Sequence, residues 1–146
     1  MSATTTARTG FFWDMMEGRA PPPPSAVLLG WKLIDLDPHA GTIRVQFAAT
    51  EAFLNPAGLV QGGILTAMLD ETLGPCASAH YDGALFALTL ELKTQFMRPG
   101  RVGPIFGEAR VTHRGRDIAY IAGELKGPDG KTIAMATATA RMGKIG

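Results

Sequence analysis

The stretch "NPAGLVQGGILTAMLDETLG", Asn55 to Gly74, decides how this chain is read. It opens on a turn, Asn55-Pro56-Ala57-Gly58, passes through Gly62-Gly63, and then runs apolar with one acidic step at Asp70-Glu71. From Gly62 to about Ala79, the spacing of Ile64, Leu65, Ala67, Met68, Leu69, Leu73, Cys76 and Ala77 predicts a helix apolar on most of its circumference. Gly62 and Gly63 fall in its first turn, where backbone N–H groups have no intrahelical acceptor. Without side chains in the way, an oxygen of another molecule can approach those donors, and the macrodipole favours negative charge there. A tight loop, or close packing on a strand, accounts for two glycines equally well. Asp70 says more. Aspartate is a middling helix former and is seldom buried unless paired. It neighbours Ala67 and Leu73, and Glu71 neighbours Ala67, Met68 and Thr72, so neither marks a plainly wet face. The carboxylate at 70 is therefore a candidate for chemistry.

Working outward, "AVLLGWKLIDLD" reads as a short helical turn and a strand, "PHAG" as a turn, and "TIRVQFAA" as the second strand of a hairpin. After the helix come "LFALTLELKTQF", "IFGEARVTHR", "DIAYIAGELKG" and "KTIAMATATARM", separated by the turn-rich "MRPGRVGP", "RGR" and "GPDG". The expected class is α+β: a curved, antiparallel, six-stranded sheet wrapped around one long central helix. Thr132, Ala134, Ala136, Ala138 and Ala140 are expected on one face of the last strand, small enough for close approach. Residues 1–25 read as a polar tail, a short helix over Phe11, Phe12, Trp13, Met15 and Met16, and an extended connector at Pro21 to Pro24. The domain itself is expected over 26–142, with a short tail at 143–146.

The chain has 146 residues, with 14 Lys and Arg against 13 Asp and Glu, a net charge of +1 that argues against capture of a long nucleic acid. Cys76 is the single cysteine, which excludes an intramolecular disulfide and suits a reducing cytoplasm. No apolar run reaches the roughly 20 residues of a membrane span, and the N-terminus lacks a secretory core, so a cytoplasmic protein is expected. His39, His80 and His113 are scattered and make no metal set.

Helix geometry adds a constraint. Eight residues of helix separate Gly62 from Asp70 by about 12 Å. Both cannot touch one reacting carbonyl, which needs partners at about 3 Å. If both act, a second copy supplies one of them, and two helices antiparallel about a two-fold axis would give two identical sites per dimer.

The stretch Asn55–Gly74, followed by "TLELKTQFMRPGRVG" and "GEARVTHRGRDIAYIAGELKGPDGKTIAMATATARM", resembles the hotdog-fold acyl-CoA thioesterases. The nearest branch is the PaaI-like one of phenylacetate degradation, related to the Arthrobacter-type 4-hydroxybenzoyl-CoA thioesterases. The resemblance spans about residues 26–142, and its most specific element is Asn-x6-Gly-Gly-x6-Asp at Asn55, Gly62, Gly63 and Asp70. It implies that Asp70 is the catalytic acid and that the Gly62 N–H polarises the thioester carbonyl. Asn55 would then orient substrate or water, and Thr89 would lie near the acid of its own subunit. Most relatives read His-Gly-Gly where this chain has Gln61-Gly62-Gly63. Glutamine hydrogen-bonds but does not shuttle a proton at neutral pH.

The implied activity is hydrolysis of an aryl- or medium-chain acyl-CoA to acid and CoA at a dimer interface, without a cofactor. Gln61, Gly63, Arg98, Arg114, Gly115 and Arg116 are expected to meet substrate. Arg98, with Arg101, and Arg114, with Arg116, sit in two turns read as lying at the same end of the sheet, where they would hold the phosphates of CoA. Phe53, Leu54, Leu59, Leu65, Met68 and Leu69 are candidates both for the acyl pocket and for the core. A homodimer, pairing further into a dimer of dimers through a sheet face bearing Glu91, Lys93 and Gln95, is the expected assembly. A hotdog hydratase or dehydratase and a non-catalytic acyl-CoA-binding module remain as alternatives; Gln61 in place of His counts against the first.

Overall fold

The structure is a computed structural model that describes residues 8–145; the tail read over residues 1–7 and Gly146 lie outside the described residues. Two short helices, α1 (Phe11–Met16) and α2 (Pro24–Leu29), precede the hairpin of β1 (Lys32–Asp37) and β2 (Thr42–Ala49). A single 3-10 turn, Glu51–Phe53, leads to the long helix α3 (Gly62–His80). The strands β3 (Phe86–Phe96), β4 (Gly103–Arg114), β5 (Ile118–Lys126) and β6 (Thr132–Gly143) follow. All pair antiparallel in the order β1-β2-β4-β5-β6-β3, which leaves β3 and β1 as edges. The expected six-stranded sheet around one central helix, the hotdog fold, is present.

α3 packs against five of the six strands, and its sheet-facing residues Leu65, Met68, Leu69, Thr72, Leu73, Cys76 and Ala77 are all buried. Close approach is made by glycine as much as by alanine. A Cβ on Gly107 would lie 2.3 Å from Thr72 Oγ1, and one on Gly123 would lie 2.8 Å from Leu73 Cδ1. Thr72 itself donates to the Met68 carbonyl at 2.8 Å, which satisfies its hydroxyl inside the core.

Two expectations need correction. Pro24 is not part of the extended connector but the first residue of α2, because its fixed φ suits a helix start where no N–H is needed. Thr132 does not share the buried face of β6: the ladder shifts between Leu125 and Lys126, Ile133 and Ala134 both turn inward, and the Thr132 hydroxyl donates to Glu124. Ala134, Ala136, Ala138 and Ala140 do form that face. Of the residues weighed for both the core and the acyl pocket, Phe53, Leu65, Met68 and Leu69 are buried in the core cluster, as the core reading expected.

Candidate active site

α3 begins at Gly62, where the chain leaves a loop closed by hydrogen bonds between Gln61 N and Phe53 O at 2.9 Å and between Val60 N and Gly100 O at 2.9 Å. Gln61 is the N-cap, its Oε1 accepting from Ile64 N at 3.1 Å. That explains Gly63, since a Cβ there would stand 2.7 Å from the capping Oε1. Gly62 has no such neighbour; a Cβ would meet the Phe96 ring at an ordinary 3.4 Å. Among the described residues, nothing accepts a hydrogen bond from Gly62 N or Gly63 N. Two donors at the positive end of a 19-residue helix are thus left open.

Asn55 serves the loop first. Its Oδ1 accepts from Ala57 N at 3.0 Å and from Leu59 N at 3.2 Å, an Asx turn that shapes the approach to Gly62. Among the described residues its side-chain amide nitrogen has no partner, so two donors remain for a ligand oxygen.

Asp70 lies on the one stripe of α3 that no strand seals: Gly63, Thr66, Ala67, Asp70, Glu71 and Gly74 are all less than fully buried. Thr89 Oγ1 donates to Asp70 Oδ1 at 2.7 Å, the same-subunit proximity that the resemblance implied. Thr89 faces inward because the β3–β6 register shifts between Thr89 and Glu91, which reverses the alternation at Leu90. The pair borders a pocket of about 140 Å³ whose other walls include Phe11 and Met15 of α1, Phe86, Gly74 and Pro75.

Pro75 cannot donate to the Glu71 carbonyl one turn back, and the Trp31 indole N–H fills that place at 2.8 Å. Glu71 also accepts from Ser25 Oγ of α2. The turn of helix bearing the acid is therefore held from outside the helix.

The arginine turns do not share an end. They flank opposite ends of the 12-residue β4, separated by about 40 Å of extended chain. Arg98 donates to Thr132 O at 2.9 Å, and its turn packs beside the start of α3, where a Cβ on Gly100 would lie 3.0 Å from Leu65. Arg114 lies at the other end of α3. It donates to His80 O at 2.7 Å and stacks 4.2 Å over Tyr81, satisfying a C-terminal carbonyl with a cation. Gly115 closes the β4–β5 turn through its N–H to Ile118 O at 2.9 Å, and Arg116 is exposed beside it. One protomer cannot bring both turns to one CoA.

Sequence reasoning missed Phe96, which stands over the helix start, and α1, which walls the pocket beside Asp70. Phe96 was legible as the inward end of the alternation Leu92, Thr94, Phe96. Thr94, between the two ends of the site on that face, carries a buried Oγ1 with no partner among the described residues.

The model of the Thioesterase superfamily matches residues 57–134, from the turn before α3 into β6. The chain belongs to the thioesterase superfamily. It is accordingly a thioester hydrolase. This thioesterase is 41% identical to the "putative thioesterase, phenylacetic acid degradation-related protein" of Ralstonia eutropha JMP134, with a TM-score of 0.86 over 90% of this chain and 99% of that one. It is 30% identical to a "putative esterase" of Saccharolobus solfataricus over 72% of this chain and 73% of the relative. A Streptococcus mutans UA159 protein solved bound to acetyl CoA shares the fold at 20% identity, with a TM-score of 0.69 over 80% of this chain and 91% of that one.

Proposed function

We propose that this thioesterase hydrolyses acyl-CoA thioesters in a site shared between two protomers. The observation that carries the reading is the placing of the two chemical groups on α3. Open amide donors at Gly62 and a carboxylate fixed by Thr89 at Asp70 flank one unsealed stripe, about 12 Å apart along the axis. That is too far for one chain to use both and suitable for an antiparallel pair. The edge strand β3 runs beside the stripe, with Leu88 and Leu90 more than half exposed, a surface suited to a second copy. The acetyl CoA on the Streptococcus mutans protein supports CoA as the thiol half of the substrate.

In this mechanism the partner's Gly62 N–H receives the oxyanion that develops on the thioester carbonyl. Asp70 either attacks that carbon, forming a mixed anhydride that water then cleaves, or takes a proton from an attacking water held by the Asn55 amide. In both routes a C–O bond forms, the C–S bond breaks, and the CoA thiolate leaves to be protonated. No bound cofactor is required. Gln61 holds the helix start and contributes no proton transfer. The arginines at opposite ends of β4 converge on one nucleotide only if each protomer supplies one turn. The sheet face bearing the exposed Glu91, Lys93 and Gln95 would be the surface for pairing of dimers.

Two variants test the sharing. Asp70→Asn removes the acid. Gly62→Pro removes one N–H at a helix position that accepts proline, after a Gln61 already extended at φ −61 and ψ 137. Each homodimer should release little thiol from acyl-CoA. Refolded together, random pairing should restore about a quarter of wild-type activity, because half the dimers hold one intact site of two. Equal silence in the mixture, with mixed dimers confirmed by mass, would place both groups in one chain and end the reading.

A further inference from the structure

α3 carries the two poorest helix residues side by side near its middle, Gly74 and Pro75, one turn beyond Asp70. Pro75 is accommodated through Trp31, as described above. Gly74 is not explained by packing from outside its own turn: a Cβ there would meet nothing within 4 Å, in contrast to Gly107 or Gly123. The empty space is the pocket of about 140 Å³ that Asp70 and Thr89 border. Its far wall is α1, fixed where it lies. Trp13 Nε1 donates to Asp82 O at 3.2 Å, Phe12 N donates to Gly83 O at 3.2 Å, and a Cβ on Gly83 would strike the indole at 2.5 Å. Phe12 is 1% exposed, and Phe11 packs on Phe86 with ring centroids 6.0 Å apart.

We infer that Gly74 and the N-terminal helix α1, through Phe11 and Met15, set the size limit of the acyl group. Gly74 leaves the opening beside the acid, and α1 closes its far side. The inference rests on the acyl-CoA reading of the same site. A cavity of about 150 Å³ holds one benzene molecule, so the pocket admits an acyl group up to about one six-membered ring and refuses fused rings and long chains. The pocket wall is mostly apolar, with Glu71, Thr89 and Ser78 its polar groups besides Asp70, which suits a hydrocarbon tail with its carbonyl held at the acid.

Gly74 also spares Pro75 the clash that a preceding Cβ would make in a helix. The test therefore changes both walls. Specificity constants are measured by thiol release for acetyl-, hexanoyl-, benzoyl-, 2-naphthoyl- and decanoyl-CoA. Gly74→Ala should lower the benzoyl-to-acetyl ratio by about 10-fold or more, the usual effect of one methyl in a hydrophobic pocket. Met15→Ala and Phe11→Ala should act in the opposite sense and raise the naphthoyl-to-acetyl ratio by about 10-fold. Helix strain at Pro75 cannot produce that reversal, and circular dichroism confirms folding of each variant. An active enzyme whose ratios stay within two-fold of wild type in all three variants overturns the size limit while leaving the acyl-CoA reading intact. Absence of thiol release from every acyl-CoA by the wild type overturns both.

Discussion

The two sides of α3 are made from one run of sequence and do opposite work. Facing the sheet, Met68, Leu69 and Thr72 are 0% exposed, packed against strands that keep glycine where the helix comes closest. On the other side, Gly63, Asp70 and Gly74 share a stripe that leaves backbone, carboxylate and empty volume accessible. The sealed side supplies the stability that lets the open side keep poor helix formers and a half-buried acid.

Substitutions that break this division should separate activity from stability. Asp70→Asn should lower turnover about 10³-fold, within the range for loss of a positioned acid or base, while the melting temperature stays close to wild type. Turnover within ten-fold of wild type would remove Asp70 from the chemistry. Leu69→Ala, one residue earlier but on the sealed side, should reverse the pattern. It should cost about 2–5 kcal/mol of stability in urea titration, with specific activity of the folded protein retained. Comparable losses of activity in both variants would erase the contrast.

Smaller effects sharpen it. Trp31→Phe leaves the Glu71 carbonyl without its donor and should cost about 1–3 kcal/mol, with thioester turnover falling because the turn that holds Asp70 loosens. Unchanged stability and turnover would show the carbonyl satisfied by other means. The last effect is alkaline. Burial pushes the Cys76 thiol up to about 12 from 9.0, so the folded state holds a proton that the unfolded state releases. Its contribution is complete below pH 9 and is lost as pH rises towards 12. Melting measured across that interval should fall less steeply for Cys76→Ala than for wild type; parallel curves would show the thiol to be uninvolved. For the same reason the native cysteine should remain silent towards the thiol reagents that detect free CoA.

Much of this was legible in the sequence. The helix and six strands follow from periodicity and turn residues, and the helix period placed Gly62 at the start of α3 and Asp70 about two turns along it. The inward face of Thr89 was not legible from alternation, because a bulge at Leu90 reverses the parity and only pairing with β6 reveals it. The pocket wall was hidden for another reason. α1 could be read as an apolar helix, but its docking depends on Gly83 and Asp82, some seventy residues away. The arginine turns were misplaced because a strand's two ends look adjacent in sequence and lie far apart in space.

Trp31 makes α3 a composite object. One rung of its ladder comes from a side chain forty residues earlier, so α3 cannot be complete as an autonomous segment. During folding, the acid-bearing turn must wait for the amino-terminal quarter to arrive, and a shortened chain starting after Trp31 would lose its acid's footing without losing a single residue of the site.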